Sequence, residues 1–207
     1  MNVLNLVTTP RPFFQDQIRI LEEKGINITT LCVPGRESPQ ESRSFLNYLE
    51  FYSSVLGHSL RDFDVIHANY GLTGPLALAQ PSRPVVLSLW GSDLAGKYGL
   101  ISRICARFSG ETIVMIEEMR SDLWNAAHVM ARGVDLEKFQ PIDQSSSIDM
   151  VSWNPDLRHV LFPYNSSKPV NNFPLAEWVV GQVHEEANIP VELSPIYGIP
   201  YEEIPTT

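Results

Sequence analysis

The stretch DFDVIHANYGLTGPLALAQPSRPVVLSLWGSDL, ending at Leu94, constrains the fold of this chain more than any other. Two short apolar runs, Asp64–His67 and Val85–Leu89, flank a glycine-marked helix. Each run ends abruptly in small and polar residues, NYGLTG after the first and WGSDL after the second. That is the pattern of a βαβ unit whose loops handle a ligand. It predicts an α/β protein whose working face lies at the carboxyl ends of its strands.

The same alternation runs through the first 140 residues. Val3–Val7 reads as a strand, and Phe13–Lys24 as a helix with Phe14, Ile18 and Leu21 on one face, stopped by Gly25. Ile26–Val33 is a β-branched strand. Gln40–Leu60 is a helix carrying Phe45, Leu49, Tyr52 and Leu56 on one face. Strands at Val65–Ala68, Val85–Leu89, Thr112–Ile116 and Val129–Met130 follow, with helices at Leu72–Ala79, Lys97–Phe108 and Glu117–Ala126. The order predicts a doubly wound parallel sheet, Rossmann-like, with right-handed crossovers. Val134–Phe139 reads as a helical turn leaving that sheet. Residues 141–156 are rich in Ser, Asp and Pro and read as a linker. From 157 a strand (Arg158–Phe162), a polar loop (Tyr164–Asn172), a helix (Phe173–Asn188) and a strand (Val191–Ile196) form the first βαβ unit of a second, incomplete domain. In that helix Leu175, Val179, Val180 and Val183 are expected to face inward. Two strands and one helix bury too little apolar surface to stand alone.

Charge and cysteine content exclude several classes. The net charge is −9. Through Pro141 there are 13 Lys and Arg against 15 Asp and Glu, and from Ile142 onward 2 against 9. No basic patch suits a nucleic acid, so none is expected as a partner. No apolar run approaches the ~20 residues of a membrane span. The opening MNVLNLVTTPRPFF lacks a basic stretch and a long apolar core, so it reads as a strand rather than a signal peptide, and a cytoplasmic location is expected. Cys32 and Cys105 have no metal-ligand or CxxC spacing and are expected to be buried thiols.

Several segments in one order carry a resemblance: TPRPFFQDQIRILEEKGINITTL, DVIHANYGLTGPLAL, VVLSLWGSDL, ARGVDLEKFQPID and HVLFPYNSSKPVNNFPLAEWVV. Together they resemble a glycosyltransferase of the GT-B fold, similar to the family 4 retaining nucleotide-sugar transferases. The GVDLEKFQP run with Arg132 upstream is the most specific piece. The resemblance implies two α/β domains facing a cleft, the first holding an acceptor and the second a nucleotide-sugar. It implies transfer of a sugar to a hydroxyl of a glycan or lipid-linked acceptor, with retention and without a bound metal or other cofactor. It also allows peripheral association with the inner membrane face. The family's paired glutamates lie beyond this stretch, and Glu185 and Glu186 sit on the wrong helix. The chain therefore resembles a member truncated in its donor domain, one that needs further donor-domain sequence or a partner chain and is negligibly active alone. Two alternatives stay open: a non-catalytic acceptor-binding module or decayed enzyme, and a GT-B sugar-nucleotide epimerase.

No catalytic residue is assigned. On the acceptor side of the cleft the candidates are Gln15, His67, Asn69, Tyr70, Gly71, Trp90, Gly91, Ser92 and Asp93. His67 either hydrogen-bonds at the cleft or is a satisfied strand histidine. Gly71 either admits a ligand to the backbone or serves only helix entry. Ser92 or Asp93 either caps the next helix or faces the cleft. Trp90 stands where many relatives have a histidine; it can stack on a sugar or donate one N–H, but cannot carry a proton. Asp135 is expected to cap its turn. The donor-side candidates are Arg132, Asn165, Lys168 and Asn171. Asn171 stands where relatives commonly have a lysine, and Lys168 could reach the diphosphate instead.

Overall fold

The computed structural model describes residues 1–36, 43–143, 145–147 and 153–199. The chain divides into two compact units, Met1–Gly133 and Val134–Thr207. The stretch expected as a linker, 141–156, falls in the second unit, with 144 and 148–152 outside the described residues.

The first unit is built on a six-stranded parallel sheet in the order β2-β1-β3-β4-β5-β6. Its strands are β1 (Asn2–Val7), β2 (Asn27–Cys32), β3 (Val65–Asn69), β4 (Val85–Leu89), β5 (Glu111–Val114) and β6 (His128–Val129). The helices are α1 (Pro12–Glu23), α2 (Phe45–Ser59), α3 (Gly74–Leu78), α4 (Ser92–Ala95), α5 (Gly99–Phe108) and α6 (Glu117–Ser121), with a 3-10 turn at Gly71–Thr73. This is a parallel α/β sheet flanked by helices, compatible with a Rossmann-like fold. Among the described residues no helix is long and apolar enough to cross a membrane.

β2 and β3 lie on opposite sides of β1. The chain therefore reverses direction across the sheet at β1, and the loops after β1 and β3 diverge to leave a crevice there. Right-handed crossovers then place α1 on one face and the later helices on the other. On that second face α2, α3 and α5 pack together. Leu4, Leu6, Ile66, Ala68, Leu87, Leu89 and Val114 from the strands meet Phe51, Val55, Ala77, Cys105 and Ala106 from the helices there. Leu4, Leu6, Ile66, Leu87 and Leu89 are completely enclosed, each contributing about 1.5–3 kcal/mol through burial.

Several expected boundaries and faces differ. Residues 40–42 of the expected second helix lie outside the described residues, and α2 starts at Phe45, capped reciprocally by Ser44 and Asn47. Its buried stripe is Phe51, Val55 and Ser59, whereas Phe45 and Leu49 are exposed. The helix carries two apolar stripes, and the sheet selects the one that faces α3. α6 ends at Ser121 rather than Ala126, α5 begins at Gly99, and β6 is His128–Val129, one residue earlier than expected. Cys32 is exposed because it ends the edge strand β2, while Cys105 is buried in α5.

In the second unit β7 (Arg158–Phe162) and β8 (Val191–Pro195) pair in parallel through α7 (Phe173–Ala187). Leu175, Val179 and Val180 of α7 turn toward Val160, Phe162 and Leu193 of the strands as expected, but no residue of the helix is buried, and Leu175, Val179 and Val183 stay exposed. Two strands are too narrow to cover the apolar face of a 15-residue helix.

The α1 face of the sheet is polar where the other is apolar. Register places Asn5 beside Thr30 and His67, and Asn69 beside Ser88. His67 Nε2 lies 2.8 Å from Ser88 Oγ. Burial pushes the His67 imidazole down to about 4, so the ring is neutral in the folded protein at pH 7. In the unfolded chain it protonates near 6.5. The stability this confers is complete above pH 6.5 and is lost as pH falls from there toward 4, by up to about 3 kcal/mol. Urea titrations at pH 7 and pH 4.5 should reveal that loss, and His67→Gln should shrink it. An equal pH dependence in both proteins would remove His67 as its source.

Candidate binding crevice

A cavity of about 940 Å³ opens at the carboxyl ends of the strands of the first unit. Every strand end from β1 to β4 supplies part of it, as the reversal of strand order requires. Thr8 and Thr9 follow β1, and Arg11 and Phe14 come from the start of α1. Arg36 follows β2, and Arg43 precedes α2. Asn69 and Tyr70 end β3, and Trp90 and Ser92 follow β4. Arg132 closes the rim beyond β6, and Tyr98 stands before α5.

Asp93 holds two of these loops in register. It is 3% exposed. Its Oδ1 accepts the backbone N–H of Trp90 at 2.8 Å and of Gly91 at 2.9 Å. Its Oδ2 accepts the N–H of Gly71 at 3.1 Å. One carboxylate thus ties the turn after β3 to the turn after β4. Burial still outweighs these N–H donors and leaves the carboxyl above its usual range.

Both turns adopt backbone angles that side chains disfavour. Gly91 has φ 104°, where glycine is at ease. Tyr70 has φ 126° and ψ 141°, a region costing a non-glycine residue about 1–3 kcal/mol. The Tyr70 N–H still reaches Ser88 O at 3.1 Å, so the strained residue remains anchored to β4.

The wall itself mixes ring and amide. Trp90 Nε1 donates to Asn69 Oδ1 at 2.8 Å. That bond leaves the Asn69 amide nitrogen without a hydrogen bond among the described residues. Phe14 meets Trp90 edge to face, with ring centroids 5.4 Å apart. Behind the wall, Gly71 packs against α5. A Cβ there would collide with the Ser102 hydroxyl and lie 3.1 Å from Asp93 Cβ.

The sequence candidates therefore fall into three groups. Asn69, Tyr70, Trp90, Ser92 and Arg132 line the cavity. Gly71, Gly91 and Asp93 stand behind it and shape it. Gln15 is exposed on α1 and is not among the lining residues. His67 sits in the middle of β3, not at its end, and points to the sheet face rather than the cavity. In the second unit Asn165, Lys168 and Asn171 form one loop. Asn171 Nδ2 donates to Asn165 O at 2.8 Å, and Asn165 Oδ1 accepts from Ser167 N at 2.9 Å. Both amides close the loop, while Lys168 is exposed. Asp135 caps its turn through the N–H groups of Glu137 and Lys138.

The residues missed from sequence include Thr8, Thr9, Arg11, Phe14, Arg36, Arg43, Tyr48 and Tyr98. The TTPRP segment directly after β1 could have flagged Thr8, Thr9 and Arg11, since a polar run after a strand is the signal that found Asn69 and Trp90. Arg43 carries no such mark. It reaches the site because its guanidinium bridges the carbonyls of Val33, Pro34 and Thr8 across the β1 and β2 loops.

Among the described residues no group of His, Cys, Asp or Glu could hold a metal ion. Compared with known proteins, the chain matches no family model and no curated protein. Fold and site together define an α/β protein with a preformed crevice at the strand carboxyl ends.

Asp93→Ala strands three N–H donors and should cost on the order of 3 kcal/mol, with Asp93→Asn falling between it and the parent. Gly71→Ala should cost about 1–3 kcal/mol. Denaturant titration ranks all three. A stable Asp93→Ala protein would show that the two turns hold without their tie.

Proposed function

We propose that the first unit is the acceptor-side domain of a GT-B, family 4-like glycosyltransferase, which moves a sugar from a nucleotide-sugar to a hydroxyl. The observation that carries this reading is the wall formed by Phe14, Asn69, Tyr70, Trp90 and Ser92. A sugar has an apolar C–H face and a rim of hydroxyls. Aromatic rings accept the face, while amide and hydroxyl groups answer the rim. The Asn69 amide nitrogen supplies a donor, and Trp90 supplies a ring already fixed by Asn69 and Phe14. The cavity volume of about 940 Å³ suits a ligand of one or more sugar rings. Four of the segments that resemble family 4 supply lining residues, among them Thr9, Arg11 and Phe14, Asn69 and Tyr70, Trp90 and Ser92, and Arg132, which favours this class over another user of the same architecture.

A second reading is favoured by one specific feature. Among its described lining residues the cavity has no Asp, Glu, His, Cys or Lys. Among the described residues it offers binding groups and tyrosine hydroxyls but no carboxylate or imidazole base. An acceptor-binding module without catalysis has the same requirements as the acceptor side of a transferase.

The test is incubation of the purified protein with a panel of UDP- and GDP-sugars and simple glycoside acceptors, read by mass spectrometry. Saturation-transfer NMR reports glycoside binding in parallel. Product supports the transferase; glycoside binding without product supports the acceptor site, and a protein that binds glycoside yet still gives no product once a donor domain is fused to it or supplied in trans is the module. Asn69→Ala should weaken glycoside binding about tenfold, through one lost hydrogen bond and a loosened Trp90. Absence of both binding and product would end both readings.

A further inference from the structure

The crevice has a charge bias that a neutral acceptor leaves unused. Arg11, Arg36, Arg43 and Arg132 all line it, and no carboxylate does among the described residues. Through Pro141 the chain has 15 Asp and Glu against 13 Lys and Arg, so a cavity lined by arginine runs against the balance of that part of the chain. Arg43 hydrogen-bonds to the carbonyls of Val33, Pro34 and Thr8 and to the Thr9 hydroxyl. Those acceptors are neutral. They orient the guanidinium without cancelling its charge, and its Nη1 makes no hydrogen bond among the described residues. Burial holds Arg43 below its usual range; Tyr48 opposes the shift, and the nearby Arg36 charge adds a smaller push in the same direction as burial. Arg11 is exposed at the start of α1, and its guanidinium has no hydrogen-bond or ion-pair partner among the described residues. The first turn of α1 carries no acidic side chain and no side-chain cap.

Gathering like charges into one concavity raises its energy until an anion enters. Guanidinium forks match the oxygens of phosphate, and several of them around one cavity suit that group better than one carboxylate does. We propose that the ligand of this crevice bears a phosphate group, held by Arg11 and Arg43 with Arg36 and Arg132 beside them. This deepens the acceptor-site reading and rests on it: the acceptor is a phosphorylated sugar, polyol or lipid headgroup, with the phosphate at the arginines and the hydroxyl-bearing ring against Trp90 and Asn69.

Calorimetry with glucose 6-phosphate, glucose and glucuronate at low and high salt tests the charge. Glucose 6-phosphate should bind at least about tenfold more tightly than glucose, and the advantage should shrink with salt. Arg11→Gln should narrow that ratio to within about twofold while leaving the melting temperature unchanged, since Arg11 is exposed. Arg36→Gln gives a second, independent removal of charge. Sedimentation with phosphatidylinositol vesicles against phosphatidylcholine vesicles separates a lipid source of the phosphate from a soluble one, and preference for either phosphate source supports the proposal. Equal affinity for glucose and glucose 6-phosphate without any vesicle preference overturns it, as does tighter binding of glucuronate. Ratios untouched by both substitutions also overturn it. Arginine-dependent binding of inorganic phosphate as tight as that of glucose 6-phosphate, with no binding of glucose or any glycoside, would sink the acceptor-site reading and keep the phosphate site. Transfer to neutral glycosides untouched by Arg11→Gln would do the reverse.

Discussion

The crevice depends on one buried carboxylate. Asp93 sits at the start of α4 and accepts N–H groups from both the β3 and the β4 turns. Three other features follow from that arrangement. Trp90 is fixed at an angle that lets its indole reach Asn69. Gly71 is drawn against α5 closely enough that no side chain fits. Tyr70 is held in a backbone region that its own chemistry disfavours. Desolvation of the carboxylate opposes the arrangement, and the N–H donors offset only part of that cost. The balance comes from the apolar core below, where Leu87 and Leu89 of β4 and Ile66 and Ala68 of β3 are fully buried. The loops are ordered because the strands that carry them cannot shift.

The sheet was legible in the sequence because apolar runs of four to six residues separated by glycine, proline and polar loops leave few alternatives. The crevice was half legible. Asn69, Tyr70, Trp90 and Ser92 announce themselves as polar or aromatic residues placed directly after apolar strands. His67 misled because β3 runs two residues past it, which turns an apparent strand-end histidine into a mid-strand one. Arg43 was invisible because its position depends on where the β2 loop travels, which no local spacing encodes. The wrong stripe on α2 has a similar origin. Phe45, Leu49, Tyr52 and Leu56 form a valid amphipathic face, and only the position of α3 decides for Phe51 and Val55 instead.

The two faces of the sheet divide the labour. The face toward α2, α3 and α5 is a continuous apolar layer that sets stability. The α1 face carries Asn5, His67, Asn69 and Ser88, and Asn5 Oδ1 is buried there without a hydrogen-bond partner among the described residues. A polar row inside a sheet costs stability unless every group is satisfied. This row runs toward the strand ends where Asn69 meets the cavity, so the less stable face is also the one continuous with the binding surface.

Tyr70 gives the crevice a thermodynamic character. A backbone forced into an unfavourable region and pinned at its N–H has few neighbouring conformations to visit. The direction in which its Cα–Cβ bond projects is therefore set before a ligand arrives. The backbone share of the loss of freedom that accompanies binding has already occurred during folding. Association at this wall should then resemble a key entering a rigid lock, with selectivity set by shape and charge rather than by rearrangement around the guest.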